Sequence, residues 1–239
     1  MNHAPAPFPA PAPHPVPTAR QVLHSPVGLS HALTALLGCV ALANVLEIAA
    51  ALRLRSVMDG IIADGTALGD EALELVDYGL RGSSQVYVVC FLATAVVFIV
   101  WFHRVRRNAG VFAPDLQRRG AGWAIGGWFV PFGNLWIPFG IAVDVLRASH
   151  PDPYGRQPSR QGILRAWWGA WVLSWFVHRF AFLAYDKAQT AQQLRDAAGP
   201  LVVSASLDLV AALLAILFVR QVTRMQHAKV LGGGTVAAA

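Results

Sequence analysis

Six polar residues interrupt stretches of sequence that are otherwise almost wholly apolar, and they are the first candidates for chemistry. They are Asn44 and Glu47 in one stretch, His178 and Arg179 in another, and Ser204 and Asp208 in a third. An ionisable side chain at membrane depth costs on the order of 3 kcal/mol or more, so such groups face the interior of a helix bundle and find partners there. We therefore expect these six residues to form one polar cluster in the outer half of a membrane bundle.

Two interpretations of this cluster stay open at the level of the sequence. Carboxylates beside an imidazole are typical of a solute, proton or ion site, which would make the chain a small transporter or channel. The plainer alternative is that the cluster supplies hydrogen bonds between helices, or that its long side chains reach out to the outer interface.

No catalytic or cofactor motif accompanies these residues. The sequence contains no HExxH, no GxSxG and no phosphate-binding glycine loop before a helix. Cys39 and Cys90 lie in separate apolar stretches without CxxC spacing, so neither a metal site nor a disulfide is expected. His31 and His103 are possible facing ligands for haem, but no spacing supports that pairing. We expect a protein that is not an enzyme and that binds no cofactor.

Composition decides the class of protein. Of 239 residues, 55% are hydrophobic and 13% are charged, and the mean hydropathy is +0.47. These values exclude a disordered chain and disfavour an ordinary soluble enzyme. The net charge of +6 comes from basic residues that cluster beside apolar stretches and form no continuous stripe. The expected partner is therefore the lipid bilayer, and nucleic acid is not expected.

The apolar stretches predict an all-α integral membrane helical bundle. Four of them are close to the roughly 20 residues that a crossing helix needs: 31–52, 85–102, 163–185 and 200–219. Residues 1–30 carry proline at every second position from Pro5 to Pro17, which predicts a disordered cytosolic arm. The membrane domain is expected over 31–225, followed by a flexible tail over 226–239.

A fifth apolar stretch, 123–146, differs in kind because it is rich in proline and glycine. The hexapeptides WFVPFG and LWIPFG nearly repeat one another within it, carrying Pro131 and Pro138 on either side of Asn134. Each proline removes a helical hydrogen bond, and lipid offers no replacement donor. The uninterrupted limbs would each rise only about 12 Å, less than half of a bilayer core of about 30 Å. The stretch is therefore either a re-entrant or interfacial hairpin or a broken crossing.

The distribution of basic residues favours the hairpin. With four crossings and a hairpin, the predicted cytosolic segments hold 12 basic residues and the outer loops, 53–84 and 186–199, hold 5. If the fifth stretch crossed fully, the counts would be 8 and 9. Because lysine and arginine are retained on the cytosolic side, we predict a multi-pass plasma-membrane protein with both termini in the cytosol.

The segments WFHRVRRNA and GWAIGGWFVPFGNLWIPFGIAVDVLRAS resemble a bacterial membrane family, common in actinobacteria, known as domain of unknown function 4328. The resemblance would cover residues 31–225 and implies no particular activity. It draws attention to a cytosolic face and hairpin with ten candidate residues: Trp101, Arg104, Arg107, Asn108, Trp128, Pro131, Asn134, Pro138, Asp144 and Arg147.

The basic members of that face have three interpretations. They bind anionic lipid head groups, they form ion pairs that organise the hairpin, with Asp144 one helical turn from Arg147, or they only set the topology. Taken together, the sequence predicts a non-enzymatic membrane component that contacts lipid or a protein partner, with the transporter or channel as the alternative. It specifies neither a partner nor an oligomeric state.

Overall fold

The computed structural model describes residues 23–65, 70–155 and 161–236, and within them the regular structure is entirely helical. The expectation of an all-α fold is therefore confirmed. Six α-helices follow one another along the chain: α1 (Val27–Asp64), α2 (Asp70–Phe112), α3 (Trp123–Gly126), α4 (Ile137–Ser149), α5 (Gly162–Asp186) and α6 (Ala191–Val236). Two short 3₁₀ turns, Pro114–Leu116 and Gly133–Leu135, lie before and within the predicted hairpin.

Among the described residues, three helices are long and apolar enough to cross a membrane: α1, the Tyr78–Phe112 part of α2, and the Ala191–Gly232 part of α6. Helix α5 has 25 residues and is long enough, but its hydropathy is lower. The reason lies in its composition, since four tryptophans, His178 and Arg179 replace aliphatic side chains.

The helices extend beyond the residues predicted to cross the membrane. Helix α1 begins at Val27, inside the arm predicted over 1–30, and runs to Asp64, so much of the predicted outer loop 53–84 is helical. A second small core explains this extension, because Leu54, Met58 and Leu80 are buried together there against Ala198. Residues 1–22 of the predicted arm lie outside the described residues.

The tail predicted over 226–239 is also helical for most of its length, since α6 continues to Val236. Side chains on this last part of α6 are anchored to the rest of the bundle. Gln226 donates hydrogen bonds to α2 and α4, and Lys229 donates to the carbonyls of Ala148 and His150. A helix with such tertiary partners does not fray as a solvated tail would.

The four long helices run antiparallel in sequence order. Ser25, just before α1, accepts a hydrogen bond from Arg104 near the end of α2, and Asp59 near the end of α1 pairs with Arg195 near the start of α6. Helices α5 and α6 are likewise antiparallel, because Trp167 stacks on Phe218. The start of α1, the end of α2, the start of α5 and the end of α6 thus meet at one end, called the hairpin end here. The opposite end is called the Gly65 end.

Glycine is required at two positions in the hairpin, residues 123–146. A Cβ atom on Gly127 would lie 2.6 Å from Ile137 Cγ2, and one on Gly133 would lie 2.8 Å from Val130 Cγ1. The proline Pro138 stands in the first turn of α4, where the missing N–H leaves no helical bond unmade. The backbone therefore folds back on itself between α3 and α4 at close range.

Candidate functional site

The hairpin is closed at its base by an ion pair between Arg118 and Asp144. The Arg118 Nη2 atom lies 2.9 Å from Asp144 Oδ1, and Nε donates to both carboxylate oxygens at 3.0 and 3.2 Å. The Asp144 side chain is 3% exposed and that of Arg118 is 62% exposed. These contacts raise the pKa of the Arg118 guanidinium above its ordinary value. Since Arg118 precedes the hairpin and Asp144 lies near its end, the chain enters and leaves at the same place.

Further bonds attach this base to the hairpin end of the bundle. The buried Arg106 of α2 donates to the carbonyl of Arg119, and Arg118 also donates to the carbonyl of Gly140 at 3.3 Å. The segment that follows the hairpin is held by Lys229, whose ammonium group also lies 5.2 Å from the centre of the Phe112 ring. The start and the end of the hairpin thus both lie beside the last turns of α2 and α6.

Trp128 holds the interior of the hairpin against the bundle. Its ring centre lies 5.6 to 6.0 Å from those of Phe98 and Phe102 on α2 and of Trp168 and Trp171 on α5. Edge and tilted aromatic pairs of this kind each add about 0.5–1.5 kcal/mol beyond burial.

The hairpin therefore reaches into the bundle beyond its own base. Arg104 marks the hairpin end of α2. Phe98, which Trp128 contacts, precedes Arg104 by six residues, so it lies about 9 Å further along the helix axis. Trp168 secures the same region from α5, because its Nε1 donates to the carbonyl of Leu135 at 2.9 Å.

The opposite side of the hairpin presents large apolar side chains to the outside. Phe129 is 72% exposed and Phe132 is 77% exposed, and Trp123 and Trp136 are also exposed. Phe132 adopts a φ of +59°, which places a bulky residue in the left-handed region at the tip. Four large exposed aromatic side chains within 14 residues are unusual on a protein facing only water.

Asn108 connects the segment before α1 and the last part of α6 to α2. Its Oδ1 accepts from the backbone N–H of His24 at 3.1 Å, while Nδ2 donates to the His24 carbonyl and to Gln226 Oε1. Gln226 in turn donates to the Val105 carbonyl and to Ser149 Oγ. The segment before α1 and the last part of α6 therefore lie at the same end of the bundle.

The remaining residues of the predicted face separate into buried and exposed groups. Trp101 is buried and donates through Nε1 to Thr223 Oγ1 at 3.2 Å, and Arg104 donates to the Ser25 carbonyl. Arg107 and Arg147 are exposed, and so is Pro131 at the tip. Asn134 lies in the turn, where its N–H donates to the Val130 carbonyl.

The ion pair at the hairpin does not involve the arginine that lies nearest to Asp144 in the sequence. Asp144 pairs with Arg118 and not with Arg147, although Arg147 stands one helical turn away. Both residues belong to α4, but Asp144 is buried and Arg147 is exposed, so the two side chains lie in different environments.

Four of the six predicted members of the polar cluster are brought together. Ser204 Oγ lies 3.4 Å from His178 Nδ1, and the carboxylates of Glu47 and Asp208 both lie within electrostatic range of His178. Arg179 forms no hydrogen bond or ion pair with these residues, and both it and His178 are exposed.

Asn44 is buried one turn from Glu47 but bonds within its own helix, donating to the Val40 carbonyl at 2.9 Å. Its Oδ1 atom has no hydrogen-bond partner within the described part of the chain. Asn44 therefore lies beside the cluster with one polar atom unsatisfied.

Two further residues belong to the cluster that sequence reasoning missed. Ser174 lies within hydrogen-bonding reach of Asp208, and the Tyr87 hydroxyl lies within electrostatic range of Asp208 and Glu47. The polar cluster of the structure thus consists of Glu47, Tyr87, Ser174, His178, Ser204 and Asp208, contributed by four helices. In the described ranges, no three His, Cys, Asp or Glu side chains approach closely enough to hold a metal ion.

Gln226 and Thr223 were also missed, although a signal for them exists. Gln226 continues the buried face of Val219 and Val222 at helical spacing, so it lies on the side of α6 that packs against α2.

These features define a protein whose described part is helical, with three helices able to cross a membrane and a proline- and glycine-rich hairpin tied to one end of the bundle. Residues 64–224, about two thirds of the chain, match the family described as domain of unknown function (DUF4328), and the chain belongs to that family. The match begins at the last residue of α1, so it is shorter at that end than the predicted 31–225. No curated protein and no solved structure matches the chain.

Proposed function

We propose that this chain is a non-enzymatic component of the bacterial plasma membrane, in which α1, α2, α5 and α6 cross the bilayer and the hairpin enters it from the cytosolic side. The length of α5 supports its crossing, because 25 residues rise about 37 Å against a hydrocarbon core of about 30 Å. Its antiparallel packing on α6 supports the same conclusion.

The orientation rests on the distribution of charge. Arginines are concentrated at the hairpin end, on the last turns of α2 and α6 and on the segments around the hairpin. Retention of basic residues in the cytosol assigns this end to the inner side. The bonds from Asn108 to His24 and Gln226 support a cytosolic location for both termini.

The role of the hairpin is to contact lipid of the inner leaflet. The observation that carries this proposal is the combination of a base closed at the basic end by Arg118 and Asp144 with a tip that exposes Phe129 and Phe132. Aromatic side chains at the level of the head groups, beside arginines, match the pattern by which proteins anchor at a membrane interface. The alternative is that a protein partner, and not lipid, covers these aromatic side chains.

Depth-dependent quenching tests the hairpin directly. In a variant with Cys39→Ser and Cys90→Ser, a Phe132→Cys substitution carries an environment-sensitive fluorophore in vesicles. Lipids brominated on their acyl chains should quench this probe strongly, whereas a probe on Tyr154→Cys should remain unquenched because Tyr154 lies beyond the hairpin base. Equal, weak quenching of both probes would contradict insertion.

Labelling of intact cells tests the orientation. A membrane-impermeant maleimide should modify Asp186→Cys at the Gly65 end and spare Tyr154→Cys at the hairpin end. The opposite pattern would reverse the proposed topology. Modification of both residues would contradict the proposal that they lie on opposite sides of the membrane.

Transport is a second candidate function, supported by the polar cluster. Two carboxylates, Glu47 and Asp208, lie near the single imidazole of His178, and the groups around them come from four helices. Such an arrangement, where four helices meet, is suited to holding a proton or a small cation.

Flux measurements separate this second candidate from the first. If the cluster carries a proton or cation, reconstituted vesicles should show a flux that Glu47→Gln and Asp208→Asn each abolish, while Arg179→Gln, outside the cluster, preserves it. Absence of flux in the wild-type protein would leave the cluster with a structural role only.

A further inference from the structure

The last turns of α6 border an open cleft that is lined partly by apolar and partly by basic side chains. The cleft has a volume of about 1460 Å³ and lies at the hairpin end, between α6, the start of α5 and the end of α2. Its apolar lining includes Phe112, Ile163 and Leu217, and its basic lining includes Arg220 and Arg224. No aspartate or glutamate lines it within the described ranges.

The two kinds of side chain follow one another along a single face of α6. Leu213 and Leu217 are four residues apart, Arg220 follows three residues later, and Arg224 follows after four more. Residues at these spacings share one helix face. Both leucines are about half exposed, and both arginines are exposed. The face therefore changes from apolar to cationic over about 10 Å along the helix axis.

Neither arginine of the cleft has an internal partner, in contrast to Arg104 and Arg118. Arg104 donates to the Ser25 carbonyl and Arg118 donates to Asp144, so these guanidinium groups already form hydrogen bonds within the protein. Arg220 and Arg224 form no ion pair or hydrogen bond with any described residue. Their donors are available to a ligand.

We propose that this cleft binds one anionic phospholipid of the inner leaflet, with its phosphate on Arg220 and Arg224 and one acyl chain along Leu217 and Ile163. The inference rests on the proposed membrane orientation, which places the end of α6 at the cytosolic head groups. Charge complementarity selects an anionic lipid, because two guanidinium groups without an acidic neighbour favour a phosphate diester whose head group carries no balancing cation. The adjoining apolar wall selects a lipid over a free phosphate, since inorganic phosphate would use only the basic part of the cleft.

Native mass spectrometry of the full-length protein in detergent tests this site. The probes are dioleoyl phosphatidylglycerol and dioleoyl phosphatidylcholine, titrated separately. We expect one phosphatidylglycerol to bind in preference to phosphatidylcholine. The Arg220→Gln/Arg224→Gln variant should bind it about 30-fold more weakly, roughly fivefold for each arginine. The control variant Arg53→Gln/Arg55→Gln, which removes two exposed arginines of α1, should bind as the wild-type protein does.

Two further arms identify the source of the phosphate and guard against misfolding. Inorganic phosphate at millimolar concentration should leave the bound lipid in place. If it displaces the lipid, the cleft recognises phosphate alone and the proposal of a lipid site is wrong. Sodium chloride at 0.5 M should weaken phosphatidylglycerol binding to the wild-type protein without any substitution.

The proposal is overturned if the two lipids bind equally well, or if the control variant loses as much affinity as the cleft variant. Its failure is distinguishable from failure of the proposed function. The fluorophore at Phe132→Cys reports hairpin insertion independently of Arg220 and Arg224, so quenching should persist in the cleft variant.

Discussion

Replacing Gly127 with alanine should separate the two limbs of the hairpin. The new methyl group would lie 2.6 Å from Ile137 Cγ2 and 2.7 Å from the Trp123 carbonyl oxygen, where ordinary contacts begin at about 3.4 Å. Ile137 is buried and branched at Cβ, so it has little freedom to move aside. Crowding of this kind in a packed core costs about 1–3 kcal/mol.

The neighbouring Gly126 provides a matched control. It is exposed at the end of α3, and nothing lies within 4 Å of a Cβ atom placed there. Because alanine also restricts the unfolded chain, Gly126→Ala should be neutral or stabilising by up to about 1 kcal/mol. The two adjacent substitutions are chemically identical and have opposite expected effects.

The assay is the melting temperature of the purified protein, followed by fluorescence-detected size exclusion after heating. For a chain of this size, about 1–3 kcal/mol corresponds to a decrease of about 2–12 °C for Gly127→Ala. Gly126→Ala should leave the melting temperature unchanged or raise it slightly. Equal melting temperatures for the two variants would refute the close packing of α3 on α4.

Two other substitutions address the contacts that hold the hairpin end together. Arg118→Gln should destabilise the protein by about 1–3 kcal/mol, because it leaves the buried Asp144 carboxylate without its guanidinium partner. Adding Asp144→Asn should recover part of that loss, and no recovery in the double variant would contradict the pairing. Asn108→Ala should cost about 2 kcal/mol, since Gln226 Oε1 and both the N–H and the C=O of His24 lose their partners. Its exposed neighbour Arg107→Ala should change stability by less than about 0.5 kcal/mol, and equal effects would argue against the network.

Several features of the fold were predictable because they depend on local pattern. Long apolar stretches predicted helices at α1, α2, α5 and α6, and the proline and glycine content of 123–146 predicted an interruption there. Helix lengths were less predictable. The ends of α1 and α6 carry charged residues such as Asp59 and Arg195, so hydropathy alone stops the helix early although tertiary contacts continue it.

The candidate sites divide in the same way. Glu47, His178, Ser204 and Asp208 were identified because a polar group in an apolar helix requires a partner, whatever that partner is. The partners themselves were not all found. Tyr87 and Ser174 join the cluster from α2 and α5, and nothing in their immediate sequence distinguishes them from other residues at helical spacing.

The amino-acid order by itself determined that this chain is helical, that it is apolar enough for a membrane, and where its backbone must break. These properties follow from side-chain hydropathy and proline geometry, which act over a few residues. Only the tertiary structure decided that Arg118 and not Arg147 pairs with Asp144, and that Asn108 holds both His24 and Gln226. Those contacts join residues that are 26 to 118 positions apart, so they depend on the path of the chain and on which helix faces are left to meet.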